Sequence, residues 1–258
     1  MKYALIGEKL GHSYSKIIHE KYFDLMGMSS SYELIEIPQN ELGQRVESIK
    51  NNGYAGFNVT IPYKIDLMNM CHEVFNEAKK IGSVNTVKIA DGKMYGYNTD
   101  YHGLKLALEY NGVAVKGKDV VILGTGGASR AVQVLCNDLG AKNITLVSRN
   151  PQNNDKYKNI SYSEISGGDI IINSTPVGMY PNTNASPFNA LELFDVAVDL
   201  IYNPAETLFL KKASDCGKKT VNGLYMLVGQ ALYSQSIWNN KDIDFDIINK
   251  IYNEMRGV

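Results

Sequence analysis

The sequence predicts an α/β protein whose second half forms a parallel, doubly wound sheet. Strands alternate with helices after about residue 100, and this alternation is typical of parallel sheets that are covered by helices. In addition, a strand at 120–123 runs into a glycine-rich turn and then into a helix that begins near Gly127. Strand, tight glycine turn and helix form the arrangement in which a G-x-G motif indicates a dinucleotide-binding site.

The first hundred residues combine strands and helices in a less regular order. In this part we expect strands at 3–7, 31–37 and 57–61. We expect helices at 15–28 and 41–51. Pro62 is expected to open a further helix, because proline is favoured at the first helical position. The segments 84–89 and 93–97 form a predicted hairpin around Ala90-Asp91-Gly92.

The regular alternation sets the expected domain limits. It begins with a helix at 101–110 and continues with strands at 120–123, 144–148, 169–173, 196–201 and 220–221 and helices at 127–139 and 206–215. Two closing helices, at 223–239 and 243–255, are expected to pack back on the first domain. We therefore predict an α/β domain at 1–100, a Rossmann-type domain at 101–222, and C-terminal helices at 223–258.

Composition and charge exclude several classes of function. The formal net charge is −1 over 258 residues, so no strong field attracts nucleic acid or an acidic membrane surface. We find no apolar stretch long enough to span a membrane or to form a signal peptide. Cys71, Cys136 and Cys216 lie far apart, which indicates reduced thiols and a cytoplasmic protein. The four histidines show no metal-ligand spacing, so we expect no metal.

The glycine-rich turn has the residues that a bound pyrophosphate needs. Gly124 can adopt a backbone angle that other residues resist, and Gly126 lets a pyrophosphate approach the main chain. The free N–H groups of the following helix then face the negative charge. Ser129 stands where the third glycine of the motif is expected, while Gly127 and Ala128 keep the helix start slim. The alternative is an ordinary strand–helix turn.

The end of the next strand favours NADP over NAD. An NAD site usually places Asp or Glu there, and here Arg149 stands between Ser148 and Asn150. A guanidinium group suits the 2′-phosphate of NADP. The alternative is a surface arginine at the end of a strand.

Polar residues in the first domain indicate a small-molecule site. Asn58 and Thr60 share one face of a strand, and Lys64 is expected in the first turn of the following helix. For Lys64 alone, the alternative is a solvated surface lysine. Ser13 and Ser15 at a helix N-terminus can hold a carboxylate, and Asp100 at the domain joint can cap the next helix. His12 and His19 are given no role.

Seven separated motifs together resemble those of the shikimate dehydrogenase family. They follow the order expected for this family over nearly the whole chain, at 12–16, 58–64, 82–86, 98–100, 124–130, 199–204 and 223–230. The motif N-V-T-x-P-x-K is present in full from Asn58 to Lys64. The resemblance implies a substrate domain followed by a Rossmann-type NADP-binding domain. It also implies NADPH-dependent reduction of 3-dehydroshikimate to shikimate in aromatic amino-acid biosynthesis.

The resemblance also assigns roles to individual residues. Lys64 and Asp100 would be the catalytic pair, in which Lys64 exchanges the proton at the substrate oxygen and Asp100 orients it. The residues implied for substrate binding are Ser13, Ser15, Asn58, Thr60, Asn85, Tyr202 and Gln230. Those implied for NADP(H) are Gly124, Thr125, Gly126, Gly127, Ala128, Ser148, Arg149, Asn150, Leu200, Gly223 and Met226.

Three departures from the family pattern keep other interpretations open. Lys16 replaces a proline, Asn150 replaces Thr or Ser, and Asn153 stands where a second Arg or Lys is common. The last two predict weaker discrimination against NAD. A quinate/shikimate dehydrogenase is one alternative, and a non-catalytic module that senses a dinucleotide is another.

Two domains also predict a cleft that closes on binding. The sequence does not determine the oligomeric state, and a homodimer stays open.

Overall fold

A computed structural model describes residues 1–11, 13–152, 156–242 and 244–257. The chain divides into two compact units. Unit 1 consists of Met1–Gly103 together with Val228–Val258, and unit 2 is Leu104–Leu227. Each unit has its own sheet and its own apolar core.

The strands of the first sheet, and the helices between them, come early in the chain. In order they are β1 (Lys2–Gly7), α1 (Ser15–Leu25), β2 (Ser31–Glu36), α2 (Leu42–Asn51), β3 (Tyr54–Val59), α3 (Asp66–Met70), β4 (Glu73–Val74), α4 (Asn76–Ile81), β5 (Thr86–Ala90) and β6 (Lys93–Tyr97). The later elements are α5 (Asp100–Tyr110), β7 (Asp119–Leu123), α6 (Gly127–Asp138), β8 (Asn143–Val147), β9 (Lys158–Ile160), β10 (Ile170–Asn173), β11 (Val196–Asp199), α7 (Leu208–Asp215), β12 (Lys219–Val221), α8 (Leu224–Asn239) and α9 (Phe245–Met255).

The sheet of unit 1 is mixed, with the strand order β2-β1-β3-β5-β6-β4. β1 lies parallel to β2 and β3, whereas β5 is antiparallel to β3 and β6. The predicted hairpin is confirmed, because Ala90 pairs with Lys93 around a two-residue loop. Asp91 and Gly92 both have positive φ, at 51° and 69°, as a tight hairpin loop requires.

All of α9 and α8 from Val228 onward belong to unit 1, as the predicted fold class required. Trp238 on α8 is 5% exposed, stacks on Tyr3 at 4.6 Å, and donates from Nε1 to the Val87 carbonyl at 2.9 Å. Its indole occupies the space over Gly56, where a Cβ would collide with it. On α9, Glu254 forms an ion pair with Lys21 of α1 at 2.6 Å.

The sheet of unit 2 is parallel, with the strand order β9-β8-β7-β10-β11-β12. In chain order of its strands this is 3-2-1-4-5-6, the order of a doubly wound dinucleotide-binding sheet. The predicted fold class is therefore confirmed. The strand order reverses between β7 and β10, and ligands of such sheets bind outside the carboxyl ends of the strands at that point.

Some predicted elements were wrong at their ends or in kind. Pro62 does not open a helix: turns continue through Ile65 and α3 begins at Asp66, because Tyr63 N–H bonds back to the Thr60 carbonyl. The helix expected from 206 begins at Leu208, where the Thr207 side chain accepts from the Leu210 N–H. The last helix begins at Phe245, and its expected start at 243 lies outside the described residues.

The short elements β4, α4 and β9 were not predicted. They are two, six and three residues long, which is too short for a hydrophobic period to be recognised.

Candidate active site

Lys64 and Asp100 form a close ion pair in unit 1. Lys64 Nζ lies 2.5 Å from Asp100 Oδ2, and the two side chains are 22% and 15% exposed. Lys64 lies in the turn after β3, and its carbonyl accepts from the Val84 N–H at 2.8 Å. That bond anchors the turn to the segment before β5. The pair is shielded from most solvent, which strengthens a charge-assisted hydrogen bond.

Asn85 holds the second oxygen of Asp100. Its Nδ2 donates to Asp100 Oδ1 at 2.8 Å, while its Oδ1 accepts from the Thr99 N–H at 2.7 Å. The backbone donor fixes which way the amide points, so the NH₂ group faces the carboxylate. The Asp100 N–H donates to Asn98 Oδ1 at 3.1 Å. The expected capping role of Asp100 was wrong, because Asp100 is itself the first residue of α5 and its two carboxylate oxygens accept from Lys64 and Asn85.

A buried network of hydroxyl and amide groups is hydrogen-bonded to Asn85, next to this pair. Asn58 is 5% exposed; its Oδ1 accepts from Tyr32, and its Nδ2 donates to Thr86 and Ser234 at 2.9 and 2.8 Å. Thr86 also donates to Asn85 Oδ1 at 3.0 Å. The amide of Asn58, which was implied for substrate binding, is thus engaged inside the fold.

The other predicted substrate residues lie in several places. Gln230 joins the network, because Thr99 Oγ1 donates to its Oε1 at 3.4 Å. Ser13 and Ser15 stand at the start of α1, where the Ser15 N–H donates to Ser13 Oγ at 3.3 Å. The Thr60 methyl fills the space beside Gly7. Tyr202 is half-buried in unit 2. His12 and Asn153 lie outside the described residues.

Four members of the network were missed by sequence reasoning, and one of them is Tyr32, which donates to Asn58. Thr86 and Thr99 stand inside motifs that were recognised, beside Asn85 and Asp100. Ser234 follows Gln230 by four residues, so the two share one face of α8. A helical spacing was therefore the only signal for Ser234.

A neutral histidine is stacked behind the network. His19 is fully buried, stacks on Tyr32 at 4.1 Å, and hydrogen-bonds Gln235 at 2.7 Å through Nδ1. Burial lowers the pKa of His19 to about 3. The ring is therefore neutral at physiological pH.

Unit 2 has a cavity of about 690 Å³ at the carboxyl ends of β7, β8 and β10. Its lining residues are Gly124, Thr125, Gly126, Ser148, Arg149, Asn150, Tyr162, Ser174, Thr175, Pro176, Val177, Ser186 and Pro187. The first six were predicted for the cofactor, and the rest were missed. Ser174 and Thr175 follow a buried strand at the reversal of strand order, and that position was a usable signal.

The loop after β10 is held by a buried carboxylate. Asp199 is fully buried and accepts from Thr207, from the Ile201 N–H and from Asn173 Nδ2. Burial raises the pKa of Asp199 to about 6, although these three hydrogen bonds oppose the shift. Asn173 Oδ1 in turn accepts from the backbone and the hydroxyl of Thr175. The chain of bonds places Thr175 on the cavity wall.

Comparison with known proteins decides the family. A family model described as the shikimate dehydrogenase substrate-binding domain matches residues 5–87. A Clostridium perfringens protein named shikimate dehydrogenase (NADP(+)) is 44% identical over 98% of this chain and 98% of its own. The chain belongs to the shikimate dehydrogenase family. Two crystal structures are also similar to it.

The first is a chorismate mutase/shikimate 5-dehydrogenase fusion protein from Clostridium acetobutylicum. It is 46% identical, with a TM-score of 0.97 over 99% of this chain and 97% of its own. The second is the shikimate 5-dehydrogenase of Thermus thermophilus, crystallised with NADP(H) and shikimate. It is 30% identical, with a TM-score of 0.89 over 98% of this chain and 99% of its own.

The glycine turn of this shikimate dehydrogenase family member fits a dinucleotide. Gly124 has φ +98°, and a Cβ there would lie 2.9 Å from Thr175 Cγ2, so the fold itself requires glycine. Gly126 has an ordinary extended backbone, and no protein atom lies within 4 Å of where its Cβ would be. The fold does not need glycine at 126, whereas a pyrophosphate at the N-terminus of α6 does. Ser129 is buried and donates to the Gly124 carbonyl at 2.7 Å.

Five predicted cofactor residues lie outside the lining of this cavity. Gly127 and Ala128 are exposed in the first turn of α6. Gly223 donates to the Ile201 carbonyl at 3.0 Å, and a Cβ there would collide with the Leu200 carbonyl. The structure therefore brings Leu200 and Gly223 together, with half-buried Met226 one turn further along the chain in α8.

The described part of the chain contains neither a metal-binding cluster nor a membrane-spanning helix. Residues 1–11, 13–152, 156–242 and 244–257 hold no group of three or more His, Cys, Asp or Glu side chains that could bind a metal. Among the helices of those same residues, none is both long and apolar enough to cross a bilayer.

Proposed function

We propose that this protein catalyses the reversible, NADPH-dependent reduction of 3-dehydroshikimate to shikimate, with Lys64 and Asp100 as its catalytic pair. The observation that carries the proposal is the shielded Lys64–Asp100 ion pair, 2.5 Å long, in a member of the shikimate dehydrogenase family. Reduction of a ketone needs a hydride at carbon and a proton at oxygen. When bound, NADPH supplies the hydride.

Lys64 handles the proton. Its ammonium group donates a proton to the substrate oxygen during reduction, and the neutral amine takes the hydroxyl proton in the reverse direction. Asp100 accepts from Lys64 through Oδ2 and from Asn85 through Oδ1, so both carboxylate oxygens are fixed. A fixed carboxylate holds the ammonium group in one orientation, which lowers the entropy cost of proton transfer.

The remaining residues of unit 1 bind and orient the substrate in this proposal. Ser13 and Ser15 hold the substrate carboxylate at the start of α1. Thr60, Asn85 and Gln230 bind ring hydroxyls, with Asn58 behind them, and Tyr202 is a further substrate-binding residue in this proposal. We propose that unit 1 corresponds to the substrate-binding domain expected at 1–100, completed by the C-terminal helices expected at 223–258.

Unit 2 corresponds to the NADP-binding domain expected at 101–222. Gly124–Ala128 and the start of α6 take the pyrophosphate, with Thr125 inside this turn. Arg149 takes the 2′-phosphate, with Ser148 and Asn150 beside it. Leu200, Gly223 and Met226 border the nicotinamide. Free Cys71, Cys136 and Cys216 support the proposal of a cytoplasmic location.

The test follows NADPH absorbance with purified protein and 3-dehydroshikimate, with NADH in a parallel cuvette. We expect rapid loss of the NADPH signal and a slower loss with NADH. No loss with either cofactor would overturn the proposed reaction. Equal rates would keep the reaction and remove the proposed role of Arg149. Quinate with NAD⁺ tests the quinate/shikimate alternative, and sedimentation of the same sample determines whether the protein is a monomer or a homodimer.

A further inference from the structure

Tyr162 lies beside Arg149 because two strands end side by side. β9 is parallel to β8, with Val147 opposite Ile160, and the Ser148 N–H donates to the Ile160 carbonyl at 3.0 Å. Arg149 and Tyr162 each follow by two residues the last paired position of their strand. Both line the same cavity of unit 2.

The ring of Tyr162 is held in place on the cavity wall. It packs against the apolar core cluster of unit 2, which includes Val121, Leu123 and Val147. Tyr162 begins a short turn that Glu164 closes by accepting from the Ser161 N–H at 2.8 Å and from its hydroxyl at 2.6 Å. A ring fixed by core packing presents its hydroxyl with little loss of entropy on binding.

The negative charge of a 2′-phosphate is larger than the positive charge that the lining of the cavity offers. A phosphate monoester carries about −1.5 to −2 at pH 7. Among the described lining residues of the cavity, Arg149 is the one with a cationic side chain. A 2′-phosphate there needs uncharged donors for its remaining oxygens. Burial raises the pKa of Tyr162, and the nearby positive charge of Arg149 partly opposes the shift. The phenol therefore keeps its proton and acts as a donor.

We propose that the Tyr162 hydroxyl donates a hydrogen bond to the 2′-phosphate of NADP(H) beside Arg149, and so contributes to the choice of NADP over NAD. The inference rests on the proposed function for the identity of the cofactor. It makes Tyr162 a specificity-determining residue that none of the recognised motifs contains.

The test is the Tyr162→Phe variant, studied by calorimetric binding rather than by activity. The probes are two pairs that differ only in the 2′-phosphate: 2′,5′-ADP against 5′-AMP, and NADP⁺ against NAD⁺. We expect Tyr162→Phe to weaken the binding of both 2′-phosphate ligands by about tenfold or more, since tenfold lies at the lower limit of the range for a hydrogen bond to a charged group. The Kd values of 5′-AMP and NAD⁺ are expected to stay unchanged, because phenylalanine keeps the ring and its packing.

Tyr180→Phe is the matched control. Tyr180 is 50% exposed in unit 2 and is not among the residues that line the cavity. Unchanged binding of NADP⁺ to Tyr162→Phe would overturn the inference, and so would equal losses for all four ligands. If the parent protein itself binds NADP⁺ no more tightly than NAD⁺, the proposed cofactor and this inference fail together.

Discussion

The catalytic proposal depends on how completely hydrogen bonds fix the Lys64–Asp100 pair. Asp100 has one oxygen on Lys64 and the other on Asn85, whose own orientation is set by a backbone N–H of Thr99. Asn85, which the resemblance implied for substrate binding, therefore also positions the carboxylate of the proposed catalytic pair. The polar chemistry of unit 1 is pre-organised, and pre-organisation is a main source of catalytic power.

Removal of the Lys64 amine is the direct test of the catalytic pair. We expect Lys64→Ala to lower kcat by about 10²–10⁴-fold, the usual contribution of a general acid or base. NADPH affinity is expected to stay at the parent value, since Lys64 lies in unit 1 and the cavity in unit 2. Steady-state rates and a fluorescence titration measure the two quantities. Lys50→Ala, on α2, is the control lysine. Near-parent turnover in Lys64→Ala would remove Lys64 from the mechanism.

His19 makes the protein sensitive to acid. Its pKa in the folded state is about 3, below the ordinary value of 6.5, so the unfolded state binds the proton more tightly. Stability from this group is fully present above pH 6.5 and is lost as the pH falls toward 3. The loss is at most about 5 kcal/mol for a shift of this size.

Urea unfolding between pH 7 and 4 measures this effect. We expect His19→Phe to flatten the fall in the free energy of unfolding, whereas His72→Gln, at an exposed site, keeps the parent slope. Asp199 acts in the opposite direction, because its raised pKa makes stability fall as the pH rises from about 4 to 6. It is present in all three proteins, so their comparison isolates His19. Equal slopes in the parent and His19→Phe would contradict the prediction.

At the scale of elements, the sequence was informative where a pattern ran long enough. The alternation that predicted β7, α6, β8, β10 and β11 depends on runs of four or more apolar or periodic residues. The prediction that Pro62 opens a helix was wrong, because a proline that suits the start of a helix also suits a turn. The two-residue hairpin loop was recognisable because Asp-Gly tolerates positive φ at both positions.

The candidate site was predictable in part for the same reason. Arg149 and Gly124 were found because each directly follows a long predicted strand. Tyr162 was missed because β9, the strand before it, has only three residues. Ser234 was missed because its role depends on contacts with Asn58 and Thr86, which are far from it in the chain. Long-range partners of this kind are not encoded in a local pattern.

The two glycines of the turn give a matched pair of variants. Gly124→Ala places a side chain at φ +98° against Thr175, so we expect a loss of about 1–3 kcal/mol in the free energy of unfolding. Gly126→Ala has room and an ordinary backbone, so its stability is expected to match the parent. NADP⁺ affinity is nevertheless expected to fall about tenfold or more, because the new methyl group occupies the path of the pyrophosphate.

Chemical unfolding and calorimetric titration distinguish these two effects. The result against the proposal is a Gly126→Ala protein that binds NADP⁺ as tightly as the parent, since the pyrophosphate then lies elsewhere.

At the scale of the whole molecule, each unit carries one half of the proposed chemistry. Unit 1 has the Lys64–Asp100 ion pair and unit 2 the cavity proposed for the dinucleotide. The units differ in how the chain builds them. Unit 2 is one continuous segment, whereas unit 1 is made from the two ends of the described chain. Trp238 is central to that second construction, because it covers Gly56 and stacks on Tyr3.

Trp238 is expected to matter for unit 1 selectively. We expect Trp238→Ala to destabilise unit 1 by about 3–5 kcal/mol, the range for truncation of a buried tryptophan. Trp238→Phe keeps the apolar ring and loses the bond to the Val87 carbonyl, so a loss of about 1 kcal/mol is expected. Hydrogen exchange resolves the two units: amides of β1 and β3 exchange faster in Trp238→Ala, while those of β7 and β10 keep the parent rates. Equal acceleration in both sheets would contradict this prediction.

The divided construction of unit 1 has a consequence for biosynthesis. A ribosome delivers β1 and β3 early, but Trp238 emerges only after every strand of unit 2 has been made. Glu254, the ion-pair partner of Lys21, is translated later still, since it lies 233 positions after Lys21. Because unit 2 is continuous and ends at Leu227, its whole segment is translated before Val228–Val258 of unit 1, so we expect unit 2 to be the first unit that can complete its fold on the nascent chain. The order of translation and the order of completion are therefore reversed, and the earliest strands to be translated depend on the last helices for their cover.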